Sequence, residues 1–335
     1  MDFTVAPEHQ QFAAALHDML AAADGPAAAR SWAHGDRAPG LKIWRSLADA
    51  GVTALAVPAS HGGLDAHPAA LVLACEEIGH HAVPGPVAES LAVAPQLLST
   101  GTGPATGNLL AQLGAGGLIA TVAAPPVVPY AADADVAGLI LLADPALGRV
   151  SSGRLVCTHR SVGAARTVAE VAGDRTIGDG VAVARALDLG ALATAAQLLG
   201  TGRAVLEASA RYARDRVQFG RPIGSFQAVK HHLANVLIGL EFARPLLLGA
   251  AVAVADDAPT ASRDVSAARV ACADAAHRAA RIGLQVHGAI GYTAEHDMSV
   301  WLTKIEALRR AWGSQAWHRA RVLAALSDME RPACG

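Results

Sequence analysis

Residues 214–234 read "RDRVQFGRPIGSFQAVKHHLA", with three arginines, a Phe-Gly step, a proline and two glutamines between two apolar helical patterns. The types suit an anionic, flat ligand. A guanidinium offers a planar, permanently charged fork for phosphate oxygens. Glycine lets backbone approach a bulky group, and a glutamine amide can both donate and accept. Ser225 is expected to cap a helix starting near Phe226, whose free N–H groups would favour an anion. The same composition also describes a solvated turn between helices, so residue types alone leave both readings open.

Other chemistry is sparse. Cys75, Cys157, Cys272 and Cys334 have no metal-site spacing and read as reduced thiols. The fourteen histidines show no HExxH pattern; His80-His81 and His231-His232 read as surface or cap residues, and no metal is expected. Glu295, Asp297 and Glu306 read as surface or capping acids. A formal net charge of −2 argues against a nucleic-acid binder. No long, strongly apolar window suggests a membrane span, and "MDFTVAPEHQQ" lacks the basic start and apolar run of a signal peptide. A cytoplasmic protein is expected. Hydrophobic residues make up 52% of 335 and charged ones 17%, so large apolar faces must be buried, some of them between subunits.

The elements that would position the connector follow from periodicity. Phe12, Leu16 and Leu20 share one helical face; "LKIWRSLADAGV" repeats the pattern and ends at Gly51; "PAALVLACEEIGHH" is helical again. Between Leu118 and Ile177, short β-like runs separated by Pro, Gly and Asp predict a small antiparallel sheet. Helical period then returns in Leu189, Leu192, Ala196 and Leu199, and in Leu233, Val236, Leu240, Ala243 and Leu247. A third helix begins near Ser262 and ends at Gly288; a last one carries Trp312, Trp317 and Val322. The fold class is therefore mainly α with a small β domain: an N-terminal helical domain (1–103), a reduced antiparallel β domain (104–180) and a C-terminal up-down four-helix bundle (181–335).

This order and two motifs resemble the acyl-CoA dehydrogenase family. The connector is similar to its R-x-x-F-G-x-x-I-x-x-F-Q-x-x-x-x-x-L-A segment. "QVHGAIGYTAEHDMSVWLTK", residues 285–304, is similar to its Q-x-x-G-G-x-G-Y segment. "IWRSLADAGVTALAVPASHGGL", followed by "ACEEIGHH", is a weaker third match. The resemblance implies FAD, acyl-CoA thioesters and an oligomer built on the C-terminal bundle. It implies that Arg216 pairs with the pyrophosphate of a FAD shared with a neighbouring subunit. Gln218 and Phe219 would line its adenosine side, with Gln227 close by, and Gln285, Gly288 and Ala289 would contact FAD. Ala289 departs from the family, which has glycine there.

The family reaction needs a carboxylate base at the substrate α-carbon. One family position is a Tyr-Glu-Gly-Thr segment. Here it reads Arg309, Arg310, Ala311, Trp312, or Trp312, Gly313, Ser314 if shifted. The other, on the helix before the connector, falls at Gly190. Asp188 is two residues away, about 200° around a helix, and faces elsewhere. The Ser/Thr-rich strand and loop that hold the flavin ring in the family are also reduced here. The resemblance thus implies a base-lacking subunit of a heteromeric, actinobacterial-type acyl-CoA dehydrogenase for lipid or steroid degradation. A catalytic subunit would complete an α2β2 assembly and bind most of the acyl-CoA. A self-sufficient flavoprotein with a displaced base among Glu295, Asp297 and Glu306, and a cofactor-free helical scaffold, are the alternatives.

Overall fold

A computed structural model describes residues 6–330; Cys334 and the first residues of "MDFTVAPEHQQ" lie outside them. Six helices come first: α1 (Pro7–Ala21), α2 (Gly25–Ala33), α3 (Ala38–Asp49), α4 (Pro68–His80), α5 (Ala94–Thr100) and α6 (Thr106–Gly114). Pro sits in the first turn of α1 to α5, where its missing N–H costs nothing. Leu16 and Leu20 of α1 are buried, and each such leucine contributes about 1.5–3 kcal/mol. Gly51, at φ 76°, turns the chain after α3, as its sequence position suggests.

A five-stranded sheet follows: β1 (Ala120–Ala123), β2 (Ala131–Ala132), β3 (Leu139–Asp144), β4 (Arg149–Arg160) and β5 (Thr167–Asp179), in the order β1-β3-β4-β5-β2. The expectation of an antiparallel sheet needs correction. β1 pairs in parallel with β3, the other pairs are antiparallel, and the sheet is mixed. β1 is held by buried side-chain contacts: Ser90 Oγ donates to Ala120 O at 2.6 Å, and Thr121 Oγ1 donates to Ala132 O at 2.6 Å. "RVSS" and "RLVCTH" merge into the single bulged strand β4, whose far end is exposed.

The C-terminal part holds α7 (Val183–Asp215), a small hairpin of β6 (Val217–Gln218) and β7 (Arg221–Pro222), α8 (Gln227–Ala255), α9 (Ala261–His287), α10 (Met298–Leu308) and α11 (Gln315–Glu330). The expected faces are real: Leu189, Leu192, Ala196 and Leu199 are buried on α7, and Val236, Leu240, Ala243 and Leu247 on α8. The last element differs. Trp312 is not on a helix; it lies in the loop between α10 and α11 with φ 54°, followed by Gly313 at φ 100°.

α7 packs so tightly on α4 that side chains are excluded at the crossing. A Cβ at Gly200 would sit 1.8 Å from the Glu76 carbonyl oxygen, and one at Gly79 would sit 2.2 Å from the Gln197 carbonyl oxygen. Both α7 and α8 are long and apolar enough to cross a membrane by length and composition alone. Burial separates them. The apolar window of α7 is 89% buried, as in a core helix, whereas that of α8 is 44% buried. The outer side of α8 presents Leu237, Ile238, Phe242 and Leu246. Such an exposed apolar face marks an interaction surface.

Candidate functional site

The connector residues stand at one end of the bundle, beside the C-terminus of α9. Tyr212 of α7 stacks on His287 of α9 with ring centroids 4.4 Å apart. This contact puts the end of α7 that leads into Arg216 beside the end of α9 that leads into Gly288. The β6–β7 hairpin turns at Phe219 and Gly220, with φ 53° and 75°. Two successive positive φ values are the geometry of a type I′ turn, which is unfavourable for phenylalanine. The turn holds the Phe219 ring 91% exposed. The base of the hairpin is closed by Ile223 N–H donating to Arg216 O at 2.8 Å. Arg221 lies over the Phe226 ring at 4.2 Å, so this cation is engaged locally.

Arg216 is different. It is exposed, and its guanidinium has no partner among the described residues. Gln218 is exposed, with its amide donating to Val217 O at 2.7 Å. Gln227, the first residue of α8, is exposed as well. The expected Ser225 cap is absent. Ser225 belongs to a short turn, Ile223–Ser225, and the capping position is Phe226, with no side-chain hydrogen bond. Because Phe226 cannot accept from the first turn of α8, those N–H groups stay open to a ligand.

Gln285 lines a cavity of about 780 Å³ with His232, Asn235 and Arg278. Gly288 ends α9 at φ 65°, and nothing lies within 4 Å of where its Cβ would be. Ala289 is exposed, so its extra methyl points into no packed wall. The structure therefore brings the two motifs to one end of the bundle, with a free guanidinium, an exposed aromatic ring and an open glycine. These groups fit a flat, phosphate-bearing ligand such as the adenosine-pyrophosphate half of FAD.

The two segments aligned with the family's base positions meet elsewhere, and they meet each other. A Cβ on Gly190 would lie 2.4 Å from the Trp312 ring. The indole fills the space beside α7, and Trp312 is 3% exposed. Its Nε1–H donates to Glu89 Oε1 at 3.0 Å, and Arg166 stands 3.5 Å from the same oxygen. The loop carrying the indole is held by two buried groups. Arg269, fully buried, donates to Leu308 O and Ala311 O at 2.7 and 3.0 Å. His318 contacts Trp312 O at 2.9 Å and Ser266 Oγ at 3.2 Å. Burial, with the Arg269 charge nearby, pushes His318 down to about 4, so the ring is neutral and donates to the Trp312 carbonyl. Arg310 is exposed.

The other acids are accounted for. Asp188 is buried, accepts from Ser262 Oγ and pairs with Arg321 at 2.8 Å. Asp297 pairs with Arg30, Glu306 pairs with His277 and Arg309 at 2.8 and 2.9 Å, and Glu295 is exposed. Sequence reasoning missed Glu89, Arg269 and His318, which sit far apart in the chain and carry no motif.

Beside this closed spot is a cavity of about 670 Å³ between α2, the β4–β5 loop and α10. Asp133, Arg166 and Lys304 are among its lining groups. Burial raises Asp133 to about 6 against the opposing pull of Arg166, and lowers Lys304 to about 8. Lys304 Nζ donates to Val83 O at 2.7 Å.

Helices, a small sheet and a helical bundle in this order are the acyl-CoA dehydrogenase arrangement. Residues 6–117 match the acyl-CoA dehydrogenase N-terminal domain and residues 178–327 its C-terminal domain. The chain belongs to the acyl-CoA dehydrogenase family, whose members are oxidoreductases of acyl-CoA thioesters. It is 31% identical over 319 residues to acyl-CoA dehydrogenase IpdE2 of Mycobacterium tuberculosis, covering 92% of each chain. It is similar to a chain of the ChsE4-ChsE5 complex of the same organism, with 25% identity and TM-score 0.84 over 99% of this chain and 100% of that one. The Tcur3481-Tcur3483 steroid acyl-CoA dehydrogenase variant shares the fold, with 21% identity and TM-score 0.85 over 96% and 98%.

Proposed function

We propose that this chain is the base-lacking subunit of a heteromeric FAD-dependent acyl-CoA dehydrogenase. It would supply the adenosine-pyrophosphate side of a FAD site completed by a catalytic partner. The observation that carries this reading is the indole of Trp312 against Gly190, where both family base positions converge on a packed side chain. A buried guanidinium and a buried imidazole hold that loop closed, so the filling is built in.

Bound FAD would accept the β-hydride of the acyl-CoA. This chain's own part is binding. Arg216 offers two parallel donors to the pyrophosphate, Phe219 gives a face to the adenine, and Gln218, Gln227 and Gln285 supply amide contacts. Gly288 and Ala289 leave room for the cofactor's approach. The α-proton would leave to a carboxylate on the partner, which would also bind most of the acyl-CoA. The outer face of α8 is the surface such a partner would cover, in an α2β2 assembly. The words "complex" for ChsE4-ChsE5 and "steroid" for the Tcur3481-Tcur3483 enzyme guide the choice of partner and substrate to assay.

One observation favours a second reading. Glu89 is a buried carboxylate 3.0 Å from the filling indole, and could serve as a displaced base in a self-sufficient flavoprotein. It is already bound by Trp312 and faces Arg166, so it would have to give up both.

The test is purification of the chain alone and together with a candidate catalytic acyl-CoA dehydrogenase subunit. Flavin absorbance and turnover of straight-chain and polycyclic acyl-CoA thioesters are then measured. The proposal expects a colourless, inactive single chain and a yellow, active complex. Full activity of the single chain would overturn it.

A further inference from the structure

Away from both ends of the flavin site, three histidines and a glutamate converge where α1 crosses the end of α4. The sequence reading took His80-His81 as surface or cap residues. His81 is the C-cap of α4 and half-buried, but His80 is buried, and His17 from α1 completes the group with Glu77. One ligand atom from each of these four residues lies within 4.8 Å of the other three. His17 Nδ1 is 2.7 Å from Glu77 Oε2 and 3.2 Å from His81 Nε2. The ligand atoms of a tetrahedral zinc bound at about 2.0–2.1 Å stand roughly 3.3 Å apart, so these two spacings lie near that value, and a pair at the 4.8 Å limit would close by about 1.5 Å on binding.

We propose that His17, Glu77, His80 and His81 form a binding site for a zinc-class divalent cation that pins α1 to α4. Three imidazoles and a carboxylate are a borderline-soft donor set, which selects zinc over calcium or magnesium. The surroundings supply what such a site needs. His80 Nδ1 is buried without a hydrogen-bond partner, while its Nε2 stands 3.1 Å from Glu207 Oε2. Two histidine rings and the Glu77 oxygen already share one proton-bearing contact network, and a cation would replace that network with four coordinate bonds. Glu77 keeps its second oxygen for Arg203, at 3.2 Å, which orients the carboxylate as outer partners of metal ligands do.

The role this geometry gives the ion is structural. With four protein ligands the shell is closed and leaves no position for substrate. His17 is the ligand from α1, 60 residues before Glu77 in sequence, so the ion would close a long loop onto the core helix α4.

The full chain, co-purified with its partner subunit if that is needed for solubility, is equilibrated with Zn²⁺, dialysed and analysed for metal. The proposal expects one zinc per chain. His17→Gln and His81→Gln should each weaken retention at least about tenfold, since loss of even an outer partner costs about that much. His159→Gln, which alters an exposed histidine on β4, should change nothing. Co²⁺ in the wild-type chain should give the intense visible absorption of a tetrahedral site, an arm that stands even if a variant fails to fold. Zinc retained equally by His17→Gln, no zinc in the wild type, or a pale hydrated Co²⁺ spectrum would each overturn the site.

Discussion

The connector end of the bundle and the Trp312 pocket are built in opposite ways. At the connector end, polar and aromatic groups are left waiting: Arg216 has no partner among the described residues, and Phe219 is held out in solvent on a left-handed turn. At the Gly190 end the space is filled. An indole fills the space against Gly190, its N–H is satisfied by Glu89, and its loop is tied down by Arg269 and His318. An exposed guanidinium stays hydrated at little cost and is available to a ligand, whereas a packed indole contributes to the core. Under the proposed function, the difference would mean that a chain can lose the reacting half of a shared site and keep the binding half.

Four experiments would break or sharpen that contrast. The largest effect is expected for Trp312→Ala, which empties a packed site and leaves Glu89 buried without its donor. A loss of about 3–5 kcal/mol in unfolding free energy is expected by denaturant titration. A neutral result would mean that the indole is not core.

Asp133 comes next. Its folded value of about 6 lies above the ordinary 3.8, so the folded state holds this proton where the unfolded state has lost it. Its contribution is therefore full below about pH 4 and is lost as pH rises through about 6, on the order of 2–3 kcal/mol. Asp133→Asn should flatten that part of the stability–pH curve. If the wild-type curve has no such slope, the wall beside the closed spot is wet and the contrast weakens.

Arg216→Ala should leave stability nearly unchanged, because the side chain touches nothing, yet cut the FAD content of the heteromer. Loss of a charge-assisted pair is worth about 1.5–3 kcal/mol, or roughly ten- to hundredfold in affinity. Unchanged flavin content would make Arg216 an ordinary turn residue and favour a cofactor-free scaffold. The smallest effect belongs to Gly190→Ala, where a methyl must displace the indole. Overpacking of this kind costs about 1–3 kcal/mol, read as a lower melting temperature.

Much of the helical frame was legible in the sequence because it rests on local periodicity. The faces of α7 and α8 and the ends at Gly51 and Gly288 follow from apolar spacing and glycine chemistry. What was not legible depends on contacts between distant residues. Nothing local makes β1 pair in parallel with β3. Apolar spacing put Trp312 on a helix with Trp317, but a carbonyl contact to His318 and the turn at Gly313 take it out. Ser225 had the right type for a cap, yet the chain enters α8 one residue later, at Phe226. The outward apolar side of α8 escaped because hydropathy does not say which side of a helix its neighbours cover. His17 stood too far from His80 and His81 in sequence to be read with them. The connector was legible as a motif, but its free state is a property of the fold.

The most direct test of the account is to change the partner instead of this chain. In the purified heteromer, the partner's base carboxylate is replaced by the corresponding amide while this chain is left intact, and flavin content and acyl-CoA turnover are measured together. The account predicts that turnover is abolished while FAD stays bound, because this chain holds one end of the cofactor and has no base of its own. Turnover persisting in that complex would place the chemistry on this chain and contradict it.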